Sequence, residues 1–542
     1  MWEAMGEEIV STLDNVLWIV DVNRQSLDRI VADGRPRQLA DMFRATGWHV
    51  IDLRWGSRLR ALFARRGGER LRQRLEAMPH RDYHRLLRSA AGVARKALVT
   101  ARDGSIDAGI DRLLAGIGDD ELAVLVGDVG GHDLGLILDA YADAAQGRTG
   151  PTVILAHTIK GWGLPFAADP LNHTMVTSDA QIGALRDALG VRAGAEWDTF
   201  PPSSDEAAWV AALPPLFSPP LPGPAPEVPP ALDEEYGARG STQEAFGRVL
   251  GALARLPVAD ALVTTSADVA ITTHLSGWMN RRGIYWPAAR PDPFADTPQA
   301  VMWKESPAGQ HVELGIAEHD LFLLLGALGL TAELAGTVLL PIGTLYDPFV
   351  TRGLDALYHA LYAGGKFVVV ATPSGISLSP EGGAHQSVIT PGLGVALPGI
   401  TYYEPAFARE VEWILLHALR GIADRSGESL YLRLTTKPVD QALAPPPTTA
   451  YRERVLRGAY RLIDARAEPD YDSERAVHVF AAGAMMPEAV QAMTGLRRQG
   501  ACPTLFVVTS PDLLYRGLRE PRPYVEELVE ADEEGVPIVS VL

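Results

Sequence analysis

The chain has 542 residues, 47% hydrophobic and 21% charged, a composition that excludes a small binding module and a globally disordered protein. Asp and Glu (67) outnumber Lys and Arg (49), and the net charge of −18 argues against nucleic-acid and membrane partners because it repels phosphate groups. A single cysteine, Cys502, and the lack of an apolar stretch of about 18 residues predict a cytoplasmic protein.

The first segment alternates short aliphatic runs with amphipathic patterns. Trp2–Leu13 has the pattern of a helix, and Asn15–Val22 that of a buried strand. A helix is predicted over Arg37–Thr46 and a second buried strand over Pro151–Ala156. Apolar runs of this kind are typical of parallel strands that helices cover on both faces.

The same alternation continues after a proline-rich stretch, Pro201–Pro230, which predicts an extended linker. Strands are predicted over Ala261–Thr265, Thr337–Leu340, Lys366–Val370, Ala476–Phe480 and Thr504–Val508, and helices over Asp320–Leu330, Arg352–Tyr362 and Ala484–Arg498. A second break, Pro445–Pro447, precedes the last segment.

These patterns predict the α/β fold class, with three-layer parallel-sheet domains in tandem and a partial third α/β domain. The predicted boundaries are a first domain over residues 1–200, a proline-rich linker over 201–235, a second domain over 236–444 and the partial third domain over 451–542.

Polar residues follow both strands of the first domain. Asn23 and Gln25 come directly after the first strand, and an amide oxygen with a main-chain carbonyl suits Mg²⁺, although a turn asparagine without a ligand is the alternative. His157, Lys160 and His173 accompany the second strand, where they could bind an anionic substrate or carry protons. For His157 the alternative is a buried histidine that the backbone satisfies.

The second domain contributes two further candidates. Glu318 precedes a long apolar helix, where desolvation should raise its pKa towards values useful for proton transfer; an acid favoured by the helix dipole is the alternative. His385 lies in the glycine-rich loop Pro380–Gln386, whose bare backbone can approach a ligand closely, unless the loop is a solvent-exposed turn.

Together these motifs resemble the thiamine-diphosphate-dependent transketolase superfamily, and most of all the homodimeric decarboxylating component of pyruvate dehydrogenase complexes. The stretches similar to the latter are Asn23–Asp28, Gly130–Asp133 and Val153–Gly163. Those similar to transketolases in general are Ser266–Asp268, the Glu318 motif and Ala384–Gln386.

The resemblance implies a role for each candidate. Asn23 and the carbonyl of Gln25 would bind Mg²⁺, and Glu318 would hydrogen-bond the aminopyrimidine ring of thiamine diphosphate, promoting the tautomer that removes the thiazolium proton. Phe349, or alternatively Tyr346, would stack on that ring. The remaining candidates would line the substrate channel or approach the cofactor: His157, Lys160, His173, His385 and Asp268.

The sequence also departs from the family's pattern. The family's Gly-Asp metal motif and much of its diphosphate pocket would lie upstream of Met1, and the third domain stops halfway through its strand order, so we expect a chain truncated at both ends with weak cofactor binding. Asp128 only imitates the missing motif, because it follows Asn23 instead of preceding it.

The function implied is decarboxylation of a pyruvate-like 2-oxo acid with acyl transfer. The resemblance also implies a homodimer, whose active site forms between the first domain of one subunit and the second of the other, and docking to an acyltransferase core. One alternative is ketol transfer between sugar phosphates, for which Arg352 is the only obvious phosphate ligand near the motifs. Another is an inactive fragment, or one part of a split enzyme that a separate chain completes.

Overall fold

The computed structural model describes residues 2–101, 103–215, 217–299 and 301–541. The chain divides into two compact units, Met1–Leu216 and Phe217–Leu542. The finer division predicted from the sequence stays a prediction. Within the described ranges, no helix combines the length and the apolar character needed to cross a lipid bilayer.

Unit 1 contains a small parallel sheet with helices around it. Its described strands are β1 (Leu17–Val22), β2 (His49–Leu53) and β3 (Thr152–His157). Its described helices are α1 (Trp2–Gly6), α2 (Arg35–Ala45), α3 (Ser57–Phe63), α4 (Gly68–Glu76), α5 (His80–Leu87), α6 (Ala91–Val99), α7 (Ala108–Leu114), α8 (Asp119–Val126), α9 (Leu134–Ala144), α10 (Asp179–Ala188) and α11 (Asp205–Ala212).

The strand order in unit 1 is β1-β3-β2. Val22 lies opposite His157, so β1 and β3 end side by side and the loops that follow them are neighbours. Trp18 packs against α2 and its flanking loop, but Leu17 and Ile19 on the other face of β1 are 42% and 48% exposed. The prediction that β1 is buried on both faces is therefore wrong, because helices of the described chain cover only one of its faces.

Two other predictions for unit 1 are corrected. The helix expected over Trp2–Leu13 ends at Gly6, a poor helix former, and a short 3₁₀ turn over Val10–Thr12 follows. The linker expected to be extended contains helix α11, because residues 203–213 include no proline and the hydroxyl of Ser204 caps the helix by accepting the N–H of Ala207.

Unit 2 is built on a larger sheet. Its described strands are β4 (Arg239–Gly240), β5 (Leu262–Ala267), β6 (Ile284–Tyr285), β7 (Glu305–Ser306), β8 (His311–Leu314), β9 (Leu340–Leu345), β10 (Val368–Ala371), β11 (Ile400–Tyr403), β12 (Ser429–Arg433), β13 (Val439–Asp440), β14 (Ala459–Ile463), β15 (Ala476–Ala481), β16 (Cys502–Val508) and β17 (Ile538–Val541). Its described helices are α12 (Thr242–Leu253), α13 (Ser276–Arg282), α14 (Glu318–Gly329), α15 (Thr331–Ala335), α16 (Leu354–Tyr362), α17 (Thr390–Ala396), α18 (Ala408–Ala423), α19 (Thr449–Arg457), α20 (Met486–Arg498), α21 (Pro511–Gly517) and α22 (Tyr524–Leu528).

An eight-stranded parallel sheet has the order β11-β12-β10-β9-β5-β8-β6-β7. Helices α14 and α16 pack on one face, and α12 and α18 on the other, so the sheet is the middle of three layers. The predicted α/β class with parallel sheets is confirmed. A second sheet, β14-β16-β15-β17, is mixed because β14 runs antiparallel to β16.

The strand expected over Thr337–Leu340 is misplaced: β9 begins at Leu340 and continues through Pro341 and Gly343. A proline is tolerated there because Pro341 pairs only with β5, and pairing with β10 starts one residue later. Gly343 also suits the packing there, since a Cβ at that position would lie 2.5 Å from a methyl carbon of Leu325, whose side chain would have to move.

Candidate functional site

In unit 1, a polar cluster lies where β1 and β3 end. The side-chain oxygen of Asn23 accepts the N–H of Gln25 at 2.9 Å, and its Nδ2 donates to Oδ2 of Asp21 at 3.2 Å. The other carboxylate oxygen of Asp21 accepts the hydroxyl of Thr158, in the loop after β3. The two predicted metal ligands are thereby tied to both strand ends.

The same cluster contains Lys160 and His173. Gln25 Nε2 donates to the carbonyl of Asp169 at 2.8 Å, and buried Asn172 donates to the carbonyl of Lys160 at 2.9 Å. Lys160 Nζ lies 3.3 Å from Nδ1 of His173. Four residues predicted from the sequence, Asn23, Gln25, Lys160 and His173, therefore belong to one hydrogen-bonded neighbourhood.

His157 lies deeper, as the last residue of β3. Its side chain is 2% exposed, and Nε2 lies 3.1 Å from Oδ1 of Asp52 on β2. Burial lowers the pKa of His157, against the opposing effect of the Asp52 carboxylate. The structure thus places the imidazole of His157 inside unit 1, where burial disfavours its charged form, and a role in a substrate channel stays a prediction.

In unit 2, Glu318 is the first residue of α14 and its side chain is 5% exposed. Arg352, in the 3₁₀ helix Asp347–Gly353 after β9, donates from Nη1 to Oε1 of Glu318 at 3.0 Å. The same guanidinium lies over the ring of Phe349, 3.9 Å from its centroid. A planar cation therefore contacts the buried carboxylate and an aromatic face together.

Three rings, those of Phe349, Tyr346 and His385, lie near Glu318 and contact one another. Phe349 lies 6.2 Å from Tyr346 and 5.4 Å from His385, measured between ring centroids. The hydroxyl of Tyr346 donates to Thr272, in the loop between β5 and α13. Asp268 starts that loop in a left-handed conformation with φ of 60° and is exposed. Glu318, Phe349, Tyr346 and His385 are brought together as predicted candidates, and Asp268 lies in the adjoining loop.

A buried ionic network holds the 3₁₀ helix Asp347–Gly353, which carries Phe349. Asp347 is fully buried, and its Oδ2 accepts Arg433 Nε at 3.1 Å, the hydroxyl of Thr390 and the N–H of Gly375. Arg433 also donates to Glu404 at 2.7 Å. Burial raises the pKa of Asp347, and the charge of Arg433 opposes that rise. The network fixes the 3₁₀ helix that carries Phe349 and Arg352.

The residues fit the cofactor that the resemblance implies. The guanidinium of Arg352 is a planar group with N–H donors, and it already makes the contacts that a protonated aminopyrimidine would need, stacking on Phe349 and donating to Glu318. In the described part of the chain, no cluster of three or more His, Cys, Asp or Glu could hold a metal. The oxygens near Asn23 are nevertheless hard donors of the type that Mg²⁺ prefers.

Sequence reasoning missed several of these contacts. Asp21 precedes Asn23 by two residues, and the two-residue period of a strand places both side chains on one face, so this signal was available. The ionic network of Asp347, Arg433 and Glu404 joins residues far apart in the chain, and no local pattern indicates it. Asp128, the imitation of the family motif, has a structural role: its carboxylate accepts the N–H of Leu59 in α3.

Comparison with known proteins supports the resemblance. Residues 233–440 match the family described as the pyruvate dehydrogenase E1 component middle domain. The chain is 27% identical to the pyruvate dehydrogenase E1 component of Escherichia coli (strain K12) over 492 residues, covering 85% of this chain and 54% of that protein. It is 26% identical to the same component of Mycobacterium tuberculosis over 519 residues, covering 89% of this chain and 54% of that protein. The chain therefore spans about half the length of these relatives.

Solved transketolases share the fold. The transketolase from Leishmania mexicana matches with a TM-score of 0.61 at 18% identity, covering 99% of this chain and 66% of that one. The transketolase from Campylobacter jejuni matches with a TM-score of 0.64 at 15% identity, covering 99% and 67%. The predicted resemblance to the transketolase superfamily, and to pyruvate dehydrogenase E1 in particular, is confirmed.

Proposed function

We propose that the chain is a thiamine-diphosphate-dependent enzyme that decarboxylates a small, pyruvate-like 2-oxo acid and transfers the resulting acyl group. The observation that carries the proposal is the buried carboxylate of Glu318 beside the face of Phe349, within a segment that matches the pyruvate dehydrogenase E1 middle domain. Bound thiamine diphosphate would supply the nucleophilic carbon and the electron sink that decarboxylation requires.

Glu318 would hold and return a proton at a ring nitrogen. Its buried carboxylate can accept an N–H at close range with little competition from water, and that setting strengthens a charge-assisted hydrogen bond. Phe349 and Tyr346 would orient the ring plane, and the imidazole of His385, packed against both, would exchange a proton with the substrate.

Residues of unit 1 would bind the metal ion and the charged groups of the cofactor and the substrate. Asn23 Oδ1 and the carbonyl of Gln25 would bind Mg²⁺, and the cation would supply positive charge for the diphosphate group. Lys160 and His173 are the cationic and titratable pair of that cluster, and we assign them to the carboxylate of the substrate. His157 enters this proposal only as a buried residue at the end of β3 that contacts Asp52.

A direct assay is pyruvate-dependent reduction of an artificial electron acceptor, with thiamine diphosphate and Mg²⁺ present. We expect Glu318→Ala to lower the rate at least about 100-fold, because a positioned acid–base group contributes about that much. Glu453→Ala, an exposed acid on α19, is the matched control and should leave the rate unchanged. Equal rates for the wild type and Glu318→Ala would contradict the proposal.

Ketol transfer between sugar phosphates is the second candidate, and the shared transketolase fold is the observation that favours it. It ranks lower because Arg352, the arginine expected to bind phosphate, is engaged by Glu318 and Phe349. A coupled assay with a ketose phosphate donor and an aldose phosphate acceptor distinguishes the two, since each activity consumes a different substrate.

The assembly is also a proposal. We assign a homodimer and docking to an acyltransferase core from the likeness to pyruvate dehydrogenase E1 components, and a separate completing chain is the alternative. Light scattering of the purified chain, alone and with an acyltransferase core, measures both associations. A strictly monomeric protein that forms no complex would contradict the assignment.

A further inference from the structure

The side-chain amide of Asn23 is held at both of its ends. Nδ2 donates to Oδ2 of Asp21 at 3.2 Å, and Oδ1 accepts the main-chain N–H of Gln25 at 2.9 Å. An ionised carboxylate can only accept a hydrogen bond and a main-chain N–H can only donate one. If the amide were flipped by 180°, its oxygen would face the carboxylate of Asp21, and its nitrogen would face the N–H of Gln25. Neither pair could form a hydrogen bond, so both contacts favour the observed orientation.

That orientation matters for a cation. Only the oxygen of an asparagine amide can bind Mg²⁺, because its nitrogen carries protons and no available lone pair. The oxygen retains a second lone pair after it accepts the Gln25 N–H. Asp21 therefore leaves Asn23 with its oxygen on the side of the Gln25 loop, where the second proposed ligand lies.

Asp21 is itself fixed by a neighbouring strand. Its Oδ1 accepts the hydroxyl of Thr158, and the main-chain N–H of Thr158 donates to the carbonyl of Val22 at 3.3 Å. Asp21 also lies opposite Ala156 in the register of β1 and β3. A short polar relay thus connects the end of β3 to the amide of Asn23.

We infer that Asp21 is a positioning residue for the Mg²⁺ site of the proposed function, on which this inference rests. It orients Asn23 through the hydrogen bond to Nδ2, and it adds a negative charge next to ligands that are themselves neutral. In this inference Asp21 acts through Asn23 and is not itself a ligand of the cation. Outer-layer partners of this kind set the direction and basicity of a metal ligand, and their loss costs about 10–100-fold in metal affinity.

The test is Mn²⁺ binding to the full chain in the presence of thiamine diphosphate, followed by the electron paramagnetic resonance signal of free Mn²⁺. Asp21→Ala should weaken binding about 10–100-fold. Asp21→Asn should recover most of the affinity, because its amide oxygen can still accept from Asn23. Asp28→Ala, an exposed acid in the same loop, should bind like the wild type.

Melting temperatures of the same variants separate positioning from stability. A purely structural role would lower the melting temperature of Asp21→Ala without changing the Mn²⁺ dissociation constant, and a dissociation constant within about twofold of the wild type overturns the inference. If Asp21→Asn binds as weakly as Asp21→Ala, orientation through an accepted hydrogen bond is likewise wrong.

Asn23→Ala distinguishes this inference from the proposed function. If Asn23→Ala loses Mn²⁺ affinity and Asp21→Ala does not, the metal site stands and only the role of Asp21 fails. If Asn23→Ala binds Mn²⁺ like the wild type, or the wild type does not bind it, the metal site of the proposed function fails and the inference fails with it.

Discussion

Arg352 makes two contacts at the proposed cofactor site, with Glu318 and with Phe349, so its removal gives a quantitative test. The guanidinium donates to buried Glu318 and stacks on Phe349, while its own side chain is 51% exposed. An aminopyrimidine that stacks on the same face of Phe349 and donates to Glu318 must displace it. Arg352→Ala should therefore tighten the binding of thiamine diphosphate.

The magnitude follows from the two contacts that are lost. A half-exposed ion pair contributes about 0.2–1 kcal/mol, and a half-exposed cation–π contact about 0.5–1 kcal/mol. Their sum, about 1–2 kcal/mol, corresponds to about 5–30-fold in the dissociation constant, since about 1.4 kcal/mol is tenfold. The wild-type protein must give up these contacts when the cofactor binds, and Arg352→Ala has none to give up, so the difference appears in the dissociation constant.

Isothermal titration calorimetry of thiamine diphosphate with Mg²⁺ measures this change. Arg498→Ala, an exposed arginine at the end of α20, is the control for the loss of one positive charge. Arg352→Lys keeps the charge without the planar group and should fall between the wild type and Arg352→Ala. Weaker binding by Arg352→Ala would refute the reasoning, because Arg352 would then be part of the bound site.

Three further predictions concern residues around the site. Arg433→Met should lower the free energy of unfolding by about 3–5 kcal/mol in urea titrations, because it leaves two carboxylates buried without their cation. Burial lowers the pKa of His157, so the unfolded chain binds more protons than the folded chain when the pH drops below about 6.5, and the free energy of unfolding should fall there. In melting curves from pH 8 to 5, His157→Gln should show a weaker pH dependence than the wild type. Gly353→Ala should lower the free energy of unfolding by about 1–3 kcal/mol in urea titrations and weaken cofactor binding, because the added Cβ would lie 2.5 Å from the carbonyl oxygen of Glu318. Its control is Gly251→Ala on α12, where the added Cβ meets no neighbour within 4 Å and both quantities should stay unchanged.

The sequence indicates the parts of the fold that local patterns encode. The apolar run after Glu318 predicts α14, and the aliphatic run before Asn23 predicts β1, each within a few residues of the bounds in the structure. The sequence misplaces strand β9 because Pro341 and Gly343 lower strand propensity. The structure shows why the strand contains them: Pro341 pairs only with β5, and Gly343 packs against Leu325.

The candidate site was predictable residue by residue but not as an arrangement. Glu318 and Phe349 could be named from their motifs, yet the guanidinium of Arg352 between them depends on how the turn after β9 packs against α14. The inward position of His157 depends on its partner on β2, which lies more than a hundred residues earlier in the chain. Such contacts are set by tertiary packing, which no short window contains.

The buried ionic network has a consequence for redesign. Asp347, Arg433 and Glu404 anchor the turn through charges that lie below the surface on which Phe349 and Tyr346 display their rings. Substituting other aromatic residues for Phe349 and Tyr346 would change the shape of the ring that can stack there, while the ion pairs of Arg433 with Asp347 and Glu404 remain. The turn is therefore a starting point for directed evolution towards cofactor analogues with differently shaped heterocycles.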